Sequence, residues 1–189
     1  MAELVFSRED GTMYLVDGDG NVVDSWDAAN NTTIPDGDPC TVGSNGPAPN
    51  GEWPIGRIAD TGDSRRYGPH FIQVGDSGES GTERNDIARQ RGIGIHGGRE
   101  GEPDSHGRTG HEHNTQGCIR MENDDLEELV DWMGDHADDD AVESITIQDE
   151  SFNQNEGGLD GSGSEEGEPP LPPDDGGGSV PNPGDGGCD

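Results

Sequence analysis

Apolar and polar positions alternate in short runs from the start of the chain. In ELVFSREDGTMYLVDGDGNVVDSW, the segments Leu4 to Phe6, Met13 to Val16 and Val22 to Trp26 are apolar or β-prone. EDG and DGDG separate them, which predicts short strands joined by turns. Residues 28 to 50 are rich in Asn, Gly, Pro and Asp and predict a loop. GEWPIGRI turns into a further strand, and HFIQVG (70–75), GIGIHGG (92–98) and ESITIQ (143–148) predict three more. Residues 99 to 116 are polar, rich in Gly and His, and predict a long loop of the kind that is usually functional or flexible. One helix stands out: Leu126, Leu129, Val130 and Met133 fall at helical spacing, predicting Asp125 to about Met133. Asp124 with Glu127 has capping-box spacing, and Gly134 is the expected stop. From about Ser151 there is almost nothing to bury, so residues 1–150 read as one domain and 151–189 as a disordered acidic Gly/Pro/Ser-rich tail. The chain shows no internal repeat.

Composition sharpens this picture. Hydrophobic residues make up 25% of 189, so the core must be lean. The net charge of -32 arises from 42 acids against 10 bases, every one of them Arg. Self-repulsion of that size opposes a compact state. In molar salt the Debye length falls to roughly 3 Å and the repulsion is largely screened. A lysine-free acidic chain therefore points to a salt-loving organism or its virus. The same charge excludes nucleic-acid binding, which needs a basic stripe. No apolar run approaches the roughly 18 residues of a membrane span, so no membrane insertion is expected. MAELVFSREDGT has neither a basic n-region nor an apolar h-region, so no signal peptide is expected. The expected location is the cytoplasm, or the cell envelope reached by a non-classical or virion route. Nothing in the sequence reports oligomeric state. Cys40, Cys118 and Cys188 are odd in number and share no repeated spacing, which is neither a disulfide framework nor a zinc-finger pattern. Cys40 lies in a predicted loop and Cys188 in the tail; neither has a base beside it, and both read as incidental.

Cys118 is different. A lone Cys in HNTQGCIRMENDD is compatible with a buried structural thiol, a metal ligand or a nucleophile. Gly117 lets the backbone approach a ligand closely. Arg120, two residues on, shares a side with Cys118 if the segment is extended. A guanidinium there could grip a carboxylate in bidentate fashion. His96 ends an apolar strand and precedes Cys118 by 22 positions (118 − 96). A nucleophile needs a base near in space, not in sequence.

GIHGG, a Gly-rich loop and then TQGCIRMENDDLEELV together resemble the L,D-transpeptidase catalytic domain, the YkuD-like family. That family pairs a strand-borne His-Gly or His-Ser with a [Ser/Thr]-x-Gly-Cys-[Ile/Val]-Arg box followed by a helix. APNGEWPIG (48–56) resembles its upstream Pro-x-Gly stretch, and VDGDGNVVDSW its first hairpin. The resemblance spans roughly residues 3 to 148. Many members have His before the Gly-Cys pair, where this chain has Gln116. Ser105-His106-Gly107 imitates part of the motif, but Arg108 stands where Cys is required.

The resemblance implies a mostly β fold: a sandwich-like barrel with one main helix after the catalytic box. It implies cysteine acyl transfer on a peptidoglycan-type stem peptide, with no cofactor. In that scheme Cys118 is the nucleophile, His96 the base and Gly97 the residue whose carbonyl orients His96. The amides of Gly117 and Cys118 form the oxyanion site. Arg120 fixes the substrate carboxylate or braces the loop, and Thr115 lies against the substrate. An amine acceptor gives a transpeptidase; water gives a carboxypeptidase or endopeptidase.

Other readings remain beside this one. His106, His111 and His113 with Cys118 have donors that suit zinc. DGDGN (17–21) starts like a calcium loop, but Val22 and Ala28 stand where Gly and Glu are needed, so a hairpin turn is expected. Trp53 and Trp132 read as core. A non-catalytic wall-binding or virion module keeping the same fold is the third class. Surrounding carboxylates would also raise a thiol pKa, which His96, Arg120 and high salt must offset.

Overall fold

The computed structural model describes residues 1–75 and 83–153, excepting the side chains of 83–86. All of the expected tail beyond residue 153 falls outside these residues. In chain order the elements are β1 (Ala2–Ser7), β2 (Thr12–Val16), β3 (Val22–Ala29), β4 (Gly51–Ser64), β5 (Gly68–Val74), α1 (Glu83–Arg91), β6 (Gly94–His96), β7 (Ile119–Met121), α2 (Asn123–Asp135) and β8 (Val142–Gln148). One turn of 3₁₀-helix, Gly110–Glu112, interrupts the long loop before β7.

The strands close into a barrel in the order β1-β2-β3-β7-β6-β5-β4-β8. The parallel pairing of β1 with β8, Leu4 opposite Ile145, completes the ring. Each strand of the ring thus has a neighbour on both sides. The alternation seen in the sequence is the cause: Leu4, Phe6, Met13, Leu15, Ile72, Ile95, Ile119, Met121, Ile145 and Ile147 all turn inward and are buried. Trp53 joins them, fully buried, with its indole N–H donated to Pro49 O at 3.0 Å. On α2, Leu126, Leu129 and Met133 cover part of this core. The mostly β barrel with one main helix is the expected class.

Several elements depart from expectation. α2 begins at Asn123, two residues early, and its cap is Glu122, which makes no side-chain capping bond. With the cap at Glu122, Asp124 and Glu127 both lie within the helix, so the predicted Asp124–Glu127 box does not form. Gly134 does not stop the helix, which runs to Asp135 and closes with His136 N–H on Trp132 O. α1, in ERNDIARQR, has almost no apolar stripe to announce it; Ala88 is its buried anchor. β7 is three residues long, too short for periodicity to show. DGDGN is a hairpin turn, with Asp17 Oδ1 accepting from the Asp19 and Asn21 amides at 3.0 and 2.8 Å. Cys40 is disulfide-bonded rather than incidental, which no sequence spacing could reveal. Among the described residues Cys118 is the free thiol, and no helix is long and apolar enough to cross a membrane.

Candidate active site

The site lies on the outer face of β5, β6 and β7. Parallel pairing sets Ile95 beside Ile119 and His96 beside Arg120; antiparallel pairing sets Phe71 beside His96. Paired residues share a face, and neighbours along a strand do not. Ile72, Ile95 and Ile119 therefore enter the core, while Phe71, His96 and Arg120 face away from it. Cys118, two residues before Arg120, falls on the same side. Loops roof this face, so His96 and Arg120 are each only 3% exposed. Between wall and roof lies a cavity of about 450 Å³, onto which Cys118, His96, Arg120 and Thr115 all open.

His96 Nδ1 lies 2.8 Å from Gly97 O. A carbonyl only accepts, so Nδ1 carries the hydrogen and Nε2 keeps its lone pair. The ring is stacked near-parallel to Phe71 and meets Tyr67 edge-on. Burial, reinforced by the nearby Arg120 charge, pushes its pKa down to about 3. The Cys118 thiol is pushed up by burial, opposed by the Gly94 backbone and by Arg120, Arg66 and Arg91. The resting pair is accordingly neutral thiol and neutral imidazole. Cys118 Sγ donates to Gly92 O at 3.5 Å, not to His96.

Arg120 is an anchor for the histidine turn. Its Nη1 donates to Gly97 O and Gly98 O at 2.9 and 2.8 Å. These bonds brace the turn, and Arg120 also lines the cavity. The same turn is held from α2, where Asn123 Oδ1 accepts the Gly98 N–H at 2.7 Å. A Cβ on Gly97 would meet that Oδ1 at 2.2 Å, so close approach requires glycine.

The Cys118 turn is braced by Thr115 and Asn30. Thr115 Oγ1 donates to Cys118 O at 2.8 Å and accepts the Gly117 N–H at 3.2 Å. Thr115 thus lines the cavity, but its hydroxyl is engaged within the box. Asn30 Nδ2 donates to both Gly117 O and Cys118 O at 2.9 Å, while its Oδ1 accepts from Ala48 N and Arg8 Nε. Gly117 has φ +118°, and a Cβ there would strike Arg91 Nη2 at 2.7 Å. Arg91 in turn clamps the 39–47 loop, donating to the carbonyls of Pro39, Ser44, Gly46 and Pro47.

Asn30, Asn123 and Arg91 escaped sequence reasoning. The one available signal was rarity: in a chain with so few bases, each buried Arg has a reason to be there. The loop histidines do not converge. His106 bonds Ser105, His111 bonds Glu122 at 2.8 Å, and His113 bonds Asn114 O. Among the described residues no three His, Cys, Asp or Glu side chains stand close enough to share a metal.

A buried His at the end of one strand and a free Cys in a Gly-Cys-Ile-Arg turn that opens the next, on a closed β-barrel, define the class of fold and site. The family model for the L,D-transpeptidase catalytic domain, YkuD, matches residues 2–147, and the chain belongs to that family. It is a family of peptidoglycan-modifying transpeptidases. Among solved structures, the chain is similar to the helical cell shape determining protein Pgp2 from Campylobacter jejuni, with 20% identity, 80% of this chain and 48% of that chain covered, and a TM-score of 0.54. It is also similar to Bd1075 of Bdellovibrio bacteriovorus, with 16% identity, 78% and 48% covered, and a TM-score of 0.51. The chain thus spans about half the length of each, and the likeness is one of fold. A comparison with curated proteins finds no match.

Proposed function

We propose that this chain is a cysteine acyltransferase acting on peptidoglycan-type stem peptides. The carrying observation is that Cys118 and His96 open onto one cavity, with Nε2 of His96 left free by the Gly97 carbonyl. The thiol first rotates about χ1 from Gly92 O toward Nε2. His96 takes the Sγ proton, and the thiolate attacks the carbonyl carbon of the diamino-acid residue. The C–S bond forms and the oxygen takes the negative charge. The Cys118 amide stabilises it, joined by Gly117 N–H once that amide releases its long bond to Thr115. Collapse breaks the C–N bond, and the imidazolium proton passes to the leaving amine, giving a thioester. An acceptor amine or water then adds, giving its proton to His96, and the thiolate leaves and is reprotonated.

Arg120 serves this scheme by holding the Gly97 carbonyl and by adding positive charge beside the forming thiolate. The test is intact-mass analysis of the full chain in molar salt after incubation with stem tetrapeptides or a carbapenem-type β-lactam. An adduct on Cys118, absent from Cys118→Ala and formed roughly a hundredfold or more slowly by His96→Gln, is expected. No adduct with any donor would leave the non-catalytic wall-binding module as the better account.

A further inference from the structure

The cavity is an island of positive charge in an acidic protein. Arg66, Arg91, Arg99 and Arg120 line it, and no Asp or Glu does among the described residues. Arg120 and Arg91 are committed to backbone carbonyls. The other two sit on adjoining loops that are zipped together, with Gly97 N–H donated to Tyr67 O and Arg99 N–H to Arg65 O, both at 2.9 Å.

Their charges are not equivalent. Glu102 accepts from Arg65 through both carboxylate oxygens and from Arg99 Nη1 at 3.1 Å. Arg66, between Arg65 and Tyr67, forms no ion pair among the described residues, although the chain carries 42 acids. Its guanidinium carbon sits 5.1 Å from the Tyr67 ring centroid, and that ring packs edge-on against His96 at 5.2 Å. Arg66 is thus exposed, oriented by an aromatic face, and one ring away from the proposed base.

We propose that Arg66 is a specificity-determining residue that reads a free carboxylate on the peptide bound in this cavity. Resting on the acyl-transfer reading, the inference makes the preferred donor a peptide whose leaving residue is a terminal amino acid with its α-carboxylate free. An internal or amidated residue is disfavoured, because its neutral end leaves Arg66 desolvated against the peptide without a partner. A guanidinium suits the task at high ionic strength. Screening over roughly 3 Å removes long-range steering but not a bidentate contact, and the weakly hydrated fork forms that contact readily.

Two matched peptides test this on the full chain in molar salt, one ending in a free D-alanine carboxylate and one in its carboxamide. Thioester formation on Cys118 is followed by mass, and each peptide's protection of Cys118 against iodoacetamide is measured separately. In the parent protein the carboxylate peptide is favoured about tenfold or more in both readouts, the size expected for a charge-assisted pair. In Arg66→Gln the ratio collapses toward one; in Arg66→Lys it falls part way; in Arg65→Gln it is retained. Equal treatment of the two peptides by the parent, or a ratio that survives Arg66→Gln, overturns the proposal. Failure of acylation with every peptide refutes the acyl-transfer reading instead. The protection ratio still decides the role of Arg66 in that case.

Discussion

His96 and Gly97 show how much chemistry one dipeptide carries once its surroundings are set. The Gly97 carbonyl takes the His96 Nδ1 hydrogen and an Arg120 N–H together, so one oxygen decides both tautomer and orientation. Gly97→Ala should place a methyl against Asn123 Oδ1 and destabilise the protein by about 1–3 kcal/mol. Asn123→Ala in the same chain should recover part of that loss, a non-additivity that a denaturation cycle measures directly. A second consequence is pH dependence. His96 has its folded pKa pushed from 6.5 to about 3, so between those values the unfolded chain binds the extra proton. The stability contributed by the neutral buried ring is fully present above pH 6.5 and is lost as pH falls toward 3. Unfolding curves between pH 7 and 4 should be steeper in pH for the parent than for His96→Gln by a few kcal/mol over the window. The comparison isolates His96 from the carboxylates, which titrate in both proteins.

Among the elements, β7 and the turn before it show long-range dependence best. Three residues of strand hold their place because β3 and β6 flank them, with Ala29 and His96 both paired to Arg120. The preceding turn is fastened by Asn30, some ninety residues upstream, which is itself held by Arg8. Asn30→Ala leaves the Gly117 and Cys118 carbonyls and the Ala48 amide without this partner. It should cost about 1–3 kcal/mol by chemical denaturation. It should also change the iodoacetamide reactivity of Cys118, because the turn that presents the thiol is released; unchanged reactivity would show that Thr115 suffices. Strands β1, β2, β3, β5 and β8 were legible in sequence because period-2 burial writes itself locally. α1 was not, because its anchoring is one buried alanine and an arginine clamp to a distant loop. The start of α2 was misread because the helix begins two residues early, after Glu122, so that Asp124 and Glu127 lie inside it, while Asn123 in its first turn holds the histidine turn.

At the scale of the whole molecule the charge dominates. A net -32 on a barrel of lean core means that stability should rise with ionic strength as self-repulsion is screened. The melting temperature should climb between about 0.1 M and about 3 M KCl, over which the Debye length falls from about 10 Å toward 3 Å or less. Acyl-transfer activity should fall with it at low salt, through unfolding and through a thiolate made harder to form. Full activity in dilute buffer would refute this.

The sequence by itself determined the strand pattern and the inward set of apolar side chains, since these follow from local periodicity and residue type, and its motifs carried the family resemblance that singles out Cys118 and His96 as candidates. Tertiary structure alone decided which nitrogen of His96 is free, that thiol and imidazole rest neutral, that Arg120 braces a turn, and that Arg66 stands without an acid among the described residues. Each of these depends on desolvation or on hydrogen bonds from segments tens of residues away. No local pattern encodes such neighbours; barrel closure and its covering loops bring them together.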